Sequence, residues 1–171
     1  PLRGTCYGAR TPGRPAGSGF AGARMPARAF DSFAVGEQFS SYGRTVTETD
    51  IVLFTGLAGI KLPVFLDDEW CRANTNYGGR IAPGLLTAAL AVGMMEDLLG
   101  GNALAALALD EFRFHVPVRP GDTLHAQVEV TAKRDTSDGR RGILSLAVRV
   151  YNQRAEHAMG FAGTFLLRKE S

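Results

Sequence analysis

The chain has 171 residues, 45% hydrophobic and 21% charged, the make-up of one globular domain with a substantial core. Its net charge is +2, but residues 1–29 hold Arg3, Arg10, Arg14, Arg24 and Arg28 and no acid, so setting those five aside leaves −3 on residues 30–171. A mildly acidic domain gives no sign of nucleic-acid binding, and the longest apolar run, Leu85 to Met95, is too short to span a bilayer and is interrupted by Thr87.

Residues 1–29 are rich in Gly, Arg, Ala and Pro and lack hydrophobic periodicity. They are expected to be a disordered tail, or upstream sequence with native translation starting at Met25; a targeting peptide ranks last. The domain, residues 30–171, opens at Phe30. Val35-Gly36-Glu37 turns into a strand over about Gln38 to Val46. Thr47, with Asp50 three residues on, caps a helix reaching about Leu57 that places Ile51, Phe54 and Leu57 on one face. Gly59 to Leu66 reads as a loop because Pro63 excludes a continuous helix. Asp67-Asp68-Glu69 then begins a short helix, with carboxylates at the positive end of its dipole. Asn76 to Arg80 is a Gly-rich loop.

Pro83 fits the first turn of the longest helix, Gly84 to Leu99, which is apolar almost all round and therefore buried. Gly100-Gly101 stops it. Beyond it the chain alternates with period two through Phe112 to Val116, Leu124 to Thr131, Leu144 to Tyr151 and Met159 to Leu167. Turns are marked at Arg119-Pro120-Gly121-Asp122, Asp138-Gly139 and Gln153-Arg154. Asp110 and Glu111 interrupt the pattern and mark a bulge. One long apolar helix and one curved antiparallel sheet predict an α+β architecture in which the sheet wraps the helix.

Two stretches carry a family resemblance: Gly59-Ile60-Lys61-Leu62-Pro63-Val64-Phe65-Leu66-Asp67, and Tyr77-Gly78-Gly79-Arg80-Ile81-Ala82-Pro83-Gly84-Leu85. Phe112-Arg113-Phe114 and Pro117-Val118-Arg119-Pro120-Gly121-Asp122-Thr123-Leu124 extend it, over about residues 30–168. Together they resemble the MaoC-like (R)-specific enoyl-CoA hydratases and dehydratases, which have the hot-dog fold. In that family an aspartate and a histidine handle the catalytic water. Here Ile60 stands at the aspartate, Leu62 at an asparagine and Phe65 at the histidine, and Pro83 replaces a further histidine. Neither Ile60 nor Phe65 can move a proton.

The resemblance implies that the Gly84 amide polarises a thioester carbonyl and that Ile60, Leu62, Phe65, Pro83 and Leu85 line an acyl pocket. Arg80, Arg113 and Arg119 are candidates for CoA phosphates, with plain surface as the alternative. Lys61 could pair with Asp67 or Asp68, meet a phosphate, or lie in solvent. Asp67 and Asp68 read as a helix cap rather than a relocated base. His115 and His125 fall on the polar phase of their strands, and His157 follows a turn. No metal-ligand spacing occurs, so no metal and no cofactor beyond an acyl-CoA or acyl-carrier thioester is expected. Cys6 and Cys71 make no disulfide framework, which suggests a reducing, cytoplasmic setting.

Three functions stay open. The first is an acyl-CoA hydratase/dehydratase homologue without the usual pair. The second is a non-catalytic acyl-thioester-binding subunit paired with a catalytic hot-dog chain. The third is a thioesterase with a relocated base. A homodimer or larger assembly is expected from the exposed edges of a lone hot-dog sheet, with neither nucleic acid nor membrane as partner.

Overall fold

The computed structural model describes residues 28–169. Residues 1–27 of the expected tail, Cys6 among them, lie outside the described residues. Arg28 is bound to the domain: its guanidinium is 2.7 Å from Glu37 and lies over the rings of Phe33 and Phe39.

Strand β1 is Gln38–Ser40 and β2 is Arg44–Thr45, so the single strand expected there is broken in two. Helix α1 is Glu48–Ala58. Its start is the expected capping box: Thr47 Oγ1 accepts from Asp50 N–H, and Asp50 accepts from Thr47 N–H at 2.7 Å. Gly59 ends it with φ +66°, a left-handed cap that glycine adopts without strain. Ile51 is buried and Phe54 packs against the core, but Leu57 is 90% exposed and does not share their face.

The loop after α1 is shorter than expected. Pro63 occupies the first position of a four-residue helix, α2 (Pro63–Leu66), where its missing N–H costs nothing. Asp67 caps α3 (Asp68–Asn74), accepting from Trp70 N–H at 2.8 Å. The central helix is α4, Gly84–Met94, with Pro83 as its cap; it breaks at Met95 before α5, Glu96–Leu99. By length and composition the helical stretch Gly84–Asn102 would reach across a bilayer, contrary to the expectation from Leu85 to Met95. In the fold it is the core helix, with Leu86, Ala88, Ala91, Met94, Met95, Leu98 and Leu99 buried under the sheet.

The sheet is built from β3 (Ala103–Phe114), β4 (Thr123–Asp135), β5 (Arg141–Tyr151) and β6 (His157–Arg168), in the order β1-β4-β5-β6-β3, with β2 also pairing β4. All pairs are antiparallel. Leu124, Ala126, Val128, Val130, Leu144, Leu146, Val148 and Val150 alternate inward onto α4. This is the α+β hot-dog fold. Strand β3 starts nine residues before Phe112, where period two first shows in the sequence, and stops before Val116. It is an edge strand with three register shifts against β6, one of them between Asp110 and Arg113, where Glu111 has φ +57°.

Candidate functional site around the N-terminus of the central helix

Three contacts fix the segment that leads into α4. Ile81 N–H donates to Val64 O at 3.2 Å and Ala82 N–H to Val118 O at 2.7 Å. Arg80 N–H donates to Asp68 Oδ1 at 2.8 Å. The Arg80 side chain fastens the same segment to α1 and α3: its guanidinium is 2.7 Å from Glu48, and its Nε is 3.3 Å from Asp68 Oδ2. That Nε is buried and makes no well-aligned hydrogen bond. The backbone N–H of Arg80, with the guanidinium adding to it, holds the Asp68 carboxyl below its usual range.

Helices α1 and α3 have side-chain caps; α4 has none. Its first-turn amides, Gly84 N–H among them, are left with the dipole's partial positive charge and no capping oxygen. Gly84 and Leu85, in that turn, border a cleft of ≈ 390 Å³. The ring of Phe114 lies over Gly84, with Cε1 2.7 Å from where a Cβ on that glycine would be. Phe114 stacks on Phe112, and Phe112 on Phe161, so an aromatic row runs from the cleft into the core.

Gly84, expected to present its amide to a thioester, lines the cleft; of the expected acyl-pocket residues Phe65 and Leu85 line it too, whereas Ile60, Leu62 and Pro83 are not part of its wall. Ile60 is half-buried, with its N–H on Thr55 O at 2.9 Å, and Leu62 is exposed. Arg113 and Arg119 are exposed and do not line the cleft either; Arg113 donates to Phe112 O. Lys61 is exposed and pairs with neither Asp67 nor Asp68. Cys71 is buried beneath α2, and burial pushes its thiol up.

Tyr77, Thr87, Phe114 and His115 also line the cleft and carried no assigned role in the sequence reading. Among the described residues, no Asp or Glu lines it. Glu96 and Asp97 lie in α5, beyond the far end of α4. His115 joins the cleft to a ladder of rings: it stacks on His157 at 4.2 Å, His157 packs against Tyr151 at 5.1 Å, and Tyr151 against His125 at 5.9 Å. His125 and Tyr151 pair across β4 and β5, on the sheet face opposite the buried Ala126 and Val150. Burial, with His115 adding to it, holds His157 below the usual histidine range, and burial does the same to His125. Their spacing along the sequence hides this ladder, because it forms only when the strands are in register.

A family model described as the MaoC like domain matches residues 32–151. Mesaconyl-CoA hydratase of Cereibacter sphaeroides is 30% identical over 145 residues, covering 83% of this chain and 41% of that protein. The chain spans between 32% and 64% of the lengths of the first three curated relatives it matches. A crystal structure of an Archaeoglobus protein, described as a monoamine oxidase regulatory protein, superposes with TM-score 0.77 at 31% identity, covering 86% of this chain and 99% of that one. A Mycobacterium tuberculosis protein described as a double hot-dog fold superposes with TM-score 0.76 at 25% identity over 84% of this chain and 45% of its own. With its hot-dog sheet, its uncapped central helix and a family match over most of its length, this chain belongs to the MaoC-like hydratase/dehydratase family of acyl-CoA enzymes.

Proposed function

We propose that this chain binds an acyl thioester of the CoA class and does not itself carry the proton transfers of hydration, acting as the thioester-binding member of a paired hot-dog assembly. The observation that carries the reading is the cleft at the α4 N-terminus. Its helix start has no side-chain cap, and its largely hydrocarbon wall includes Phe65, the residue that the resemblance sets at the family's histidine. Amide donors at a helix start stabilise negative charge on a carbonyl oxygen. Adding or removing water also needs a titratable group beside the reacting carbon.

Pairing is supported by what the lone chain leaves uncovered. Edge strand β3 exposes Leu104, Leu107 and Leu109, and α1 exposes Val52, Leu53 and Leu57. An unpaired apolar edge is a template for another strand. The partner is a second copy or a hot-dog chain that retains the acid and base.

One observation favours a second reading, hydration by a relocated group: Tyr77 and His115 both border the cleft. A thioesterase of the usual layout has less support, because no carboxylate among the described residues lines the cleft. Thermal-shift titration with crotonyl-CoA and octanoyl-CoA, alongside a hydration assay, tests the readings. The proposal expects a melting-temperature rise without turnover. Turnover that disappears in His115→Phe or Tyr77→Phe would establish the second reading, and no shift with any acyl-CoA would remove the thioester role.

A further inference from the structure

Two buried threonines sit on the inner faces of helices, and they are satisfied differently. Thr55, in α1, donates its hydroxyl to Ile51 O at 2.8 Å, the back-bond a helical threonine makes to the preceding turn. Thr87, in α4, is 2% exposed, and its hydroxyl has no hydrogen-bond partner among the described residues. Its backbone N–H donates to Pro83 O at 3.2 Å. The hydroxyl keeps some access to the cleft, unlike the wholly enclosed Arg80 Nε and His157 Nε2, and a polar group in so largely buried a residue gains from a partner. Thr87 borders the cleft, so a molecule bound there can supply what the protein does not.

The position is specific. Gly84 is the first residue of α4 and Thr87 the fourth. Residues three apart share a helix face, and Cα–Cβ bonds tilt toward the N-terminus. The Thr87 side chain therefore leaves the helix on the face it shares with Gly84 and leans toward the first turn. From these observations we infer that Thr87 is a positioning residue of the cleft, its hydroxyl donating to the thioester carbonyl oxygen together with the Gly84 N–H. This rests on the thioester-binding reading above. It adds a side-chain donor to a backbone one, so that carbonyl recognition depends on a residue that can be exchanged without altering the helix start.

The test compares Thr87→Val, which keeps the shape and removes the hydroxyl, with Thr87→Ser, which keeps it. Each full-length protein is titrated calorimetrically with butyryl-CoA and with S-butyl-CoA, the thioether that lacks the carbonyl. The wild type is expected to prefer butyryl-CoA. Thr87→Val should lose about tenfold of that preference, the size of one hydrogen bond, and Thr87→Ser should keep it. Without ligand, Thr87→Val should melt at or above the wild-type temperature, since it removes no hydrogen bond within the protein and adds hydrocarbon to a residue that is 2% exposed. A valine variant with undiminished preference overturns the inference alone. A ligand-free valine variant that melts several degrees lower also overturns it, by showing that the hydroxyl has a partner within the protein. Wild-type protein that binds neither ligand, or both equally, overturns the thioester reading and this inference with it.

Discussion

Phe114 occupies the space that any side chain on Gly84 would need: its ring carbons lie 2.7–3.0 Å from a Cβ placed there. The glycine that starts the central helix is thus required for packing, apart from any use of its amide. Gly84→Ala keeps the N–H and forces the half-exposed Phe114 ring aside, at a cost of about 1–3 kcal/mol, the usual range for overpacking. Gly84→Pro adds similar bulk and also removes the N–H, at a helix position where proline is otherwise tolerated. Differential scanning calorimetry should show both variants destabilised. Acyl-CoA stabilisation should survive in part in the alanine variant and vanish in the proline variant. Combining Gly84→Ala with Phe114→Leu should recover most of the lost stability, the coupling expected of residues in contact. Equal ligand responses in the alanine and proline variants would mean the amide is not used.

Reversion of the family positions gives a second expectation. Loss of one general acid or base costs about 10²–10⁴ in rate, so the wild type should hydrate crotonyl-CoA negligibly. The triple variant Ile60→Asp, Leu62→Asn, Phe65→His should gain measurable hydration and lose stability, because half-buried hydrocarbon is replaced by polar groups. Phe65 borders the cleft but Ile60 does not, so Phe65→His alone should bring a titratable ring to the ligand, whereas Ile60→Asp alone should change little. A folded triple variant with no activity would show that the cleft has been rebuilt beyond those positions.

Local features were the most legible ones. The Thr47–Asp50 capping box, the Asp67 cap, the turns at Gly121 and Gly139 and the bulge at Asp110–Glu111 each depend on a few neighbouring residues whose chemistry has one good arrangement. The stretch Ala103 to Leu109 was not legible. Alanine and leucine favour helix, no period-two alternation is present, and pairing with β6 alone makes it a strand. Leu57 was misplaced because α1 is apolar on more than one face, so its sequence cannot say which face meets the core. In the site, the resemblance points to Gly84, Ile60, Leu62, Phe65, Pro83 and Leu85, of which Gly84, Phe65 and Leu85 border the cleft. Thr87 read only as an interruption of an apolar run, and the ring ladder from His115 to His125 required the register of three strands.

That ladder sets a pH dependence. His125 and His157 titrate below their unfolded value of about 6.5, chiefly because they are buried. The unfolded chain then binds more protons than the folded one below that pH, so stability rises with pH in this window. Their contribution is complete above about pH 6.5 and is lost as the pH falls through the folded values. The depressed carboxyls of Asp50, Asp122 and Glu37 act in a separate, more acidic window, starting from ordinary values of 3.8 and 4.5. Urea midpoints should therefore fall between pH 7.5 and 5.5, and His157→Phe, which keeps a ring beside His115 and Tyr151, should flatten that slope. An unchanged slope in the variant would assign the dependence elsewhere.

Arg80 is expected to act as a strut rather than a phosphate contact. Its guanidinium already meets Glu48 and Asp68, joining α1 and α3 to the segment that presents Gly84. Arg80→Ala should lower the melting temperature by a few degrees, and Arg80→Lys should rescue only part, because an ammonium cannot reproduce the planar fork. Binding of CoA itself should change no more than binding of acyl-CoA does. A selective loss of CoA affinity at unchanged stability would instead make Arg80 a phosphate ligand.

Assembly is the remaining expectation, and β3 decides it. Its free side pairs with no strand among the described residues, because β6 takes the other side and β3 ends the sheet. Leu104, Leu107 and Leu109 are 41%, 51% and 38% exposed along it, more hydrocarbon than an isolated edge strand usually leaves to water. Light scattering should find the purified chain as a dimer, or as a self-associating species awaiting a different hot-dog partner. Leu107→Lys places a charge on that edge, a device by which natural sheets prevent edge-to-edge pairing, and should shift the population to monomer. Acyl-CoA stabilisation should weaken in the same variant if the partner helps to close the cleft, since Phe114 ends the same strand and lies over Gly84. A wild-type monomer unchanged by Leu107→Lys would remove β3 as the contact and leave the exposed face of α1, with Leu53 and Leu57, as the surface to mutate next.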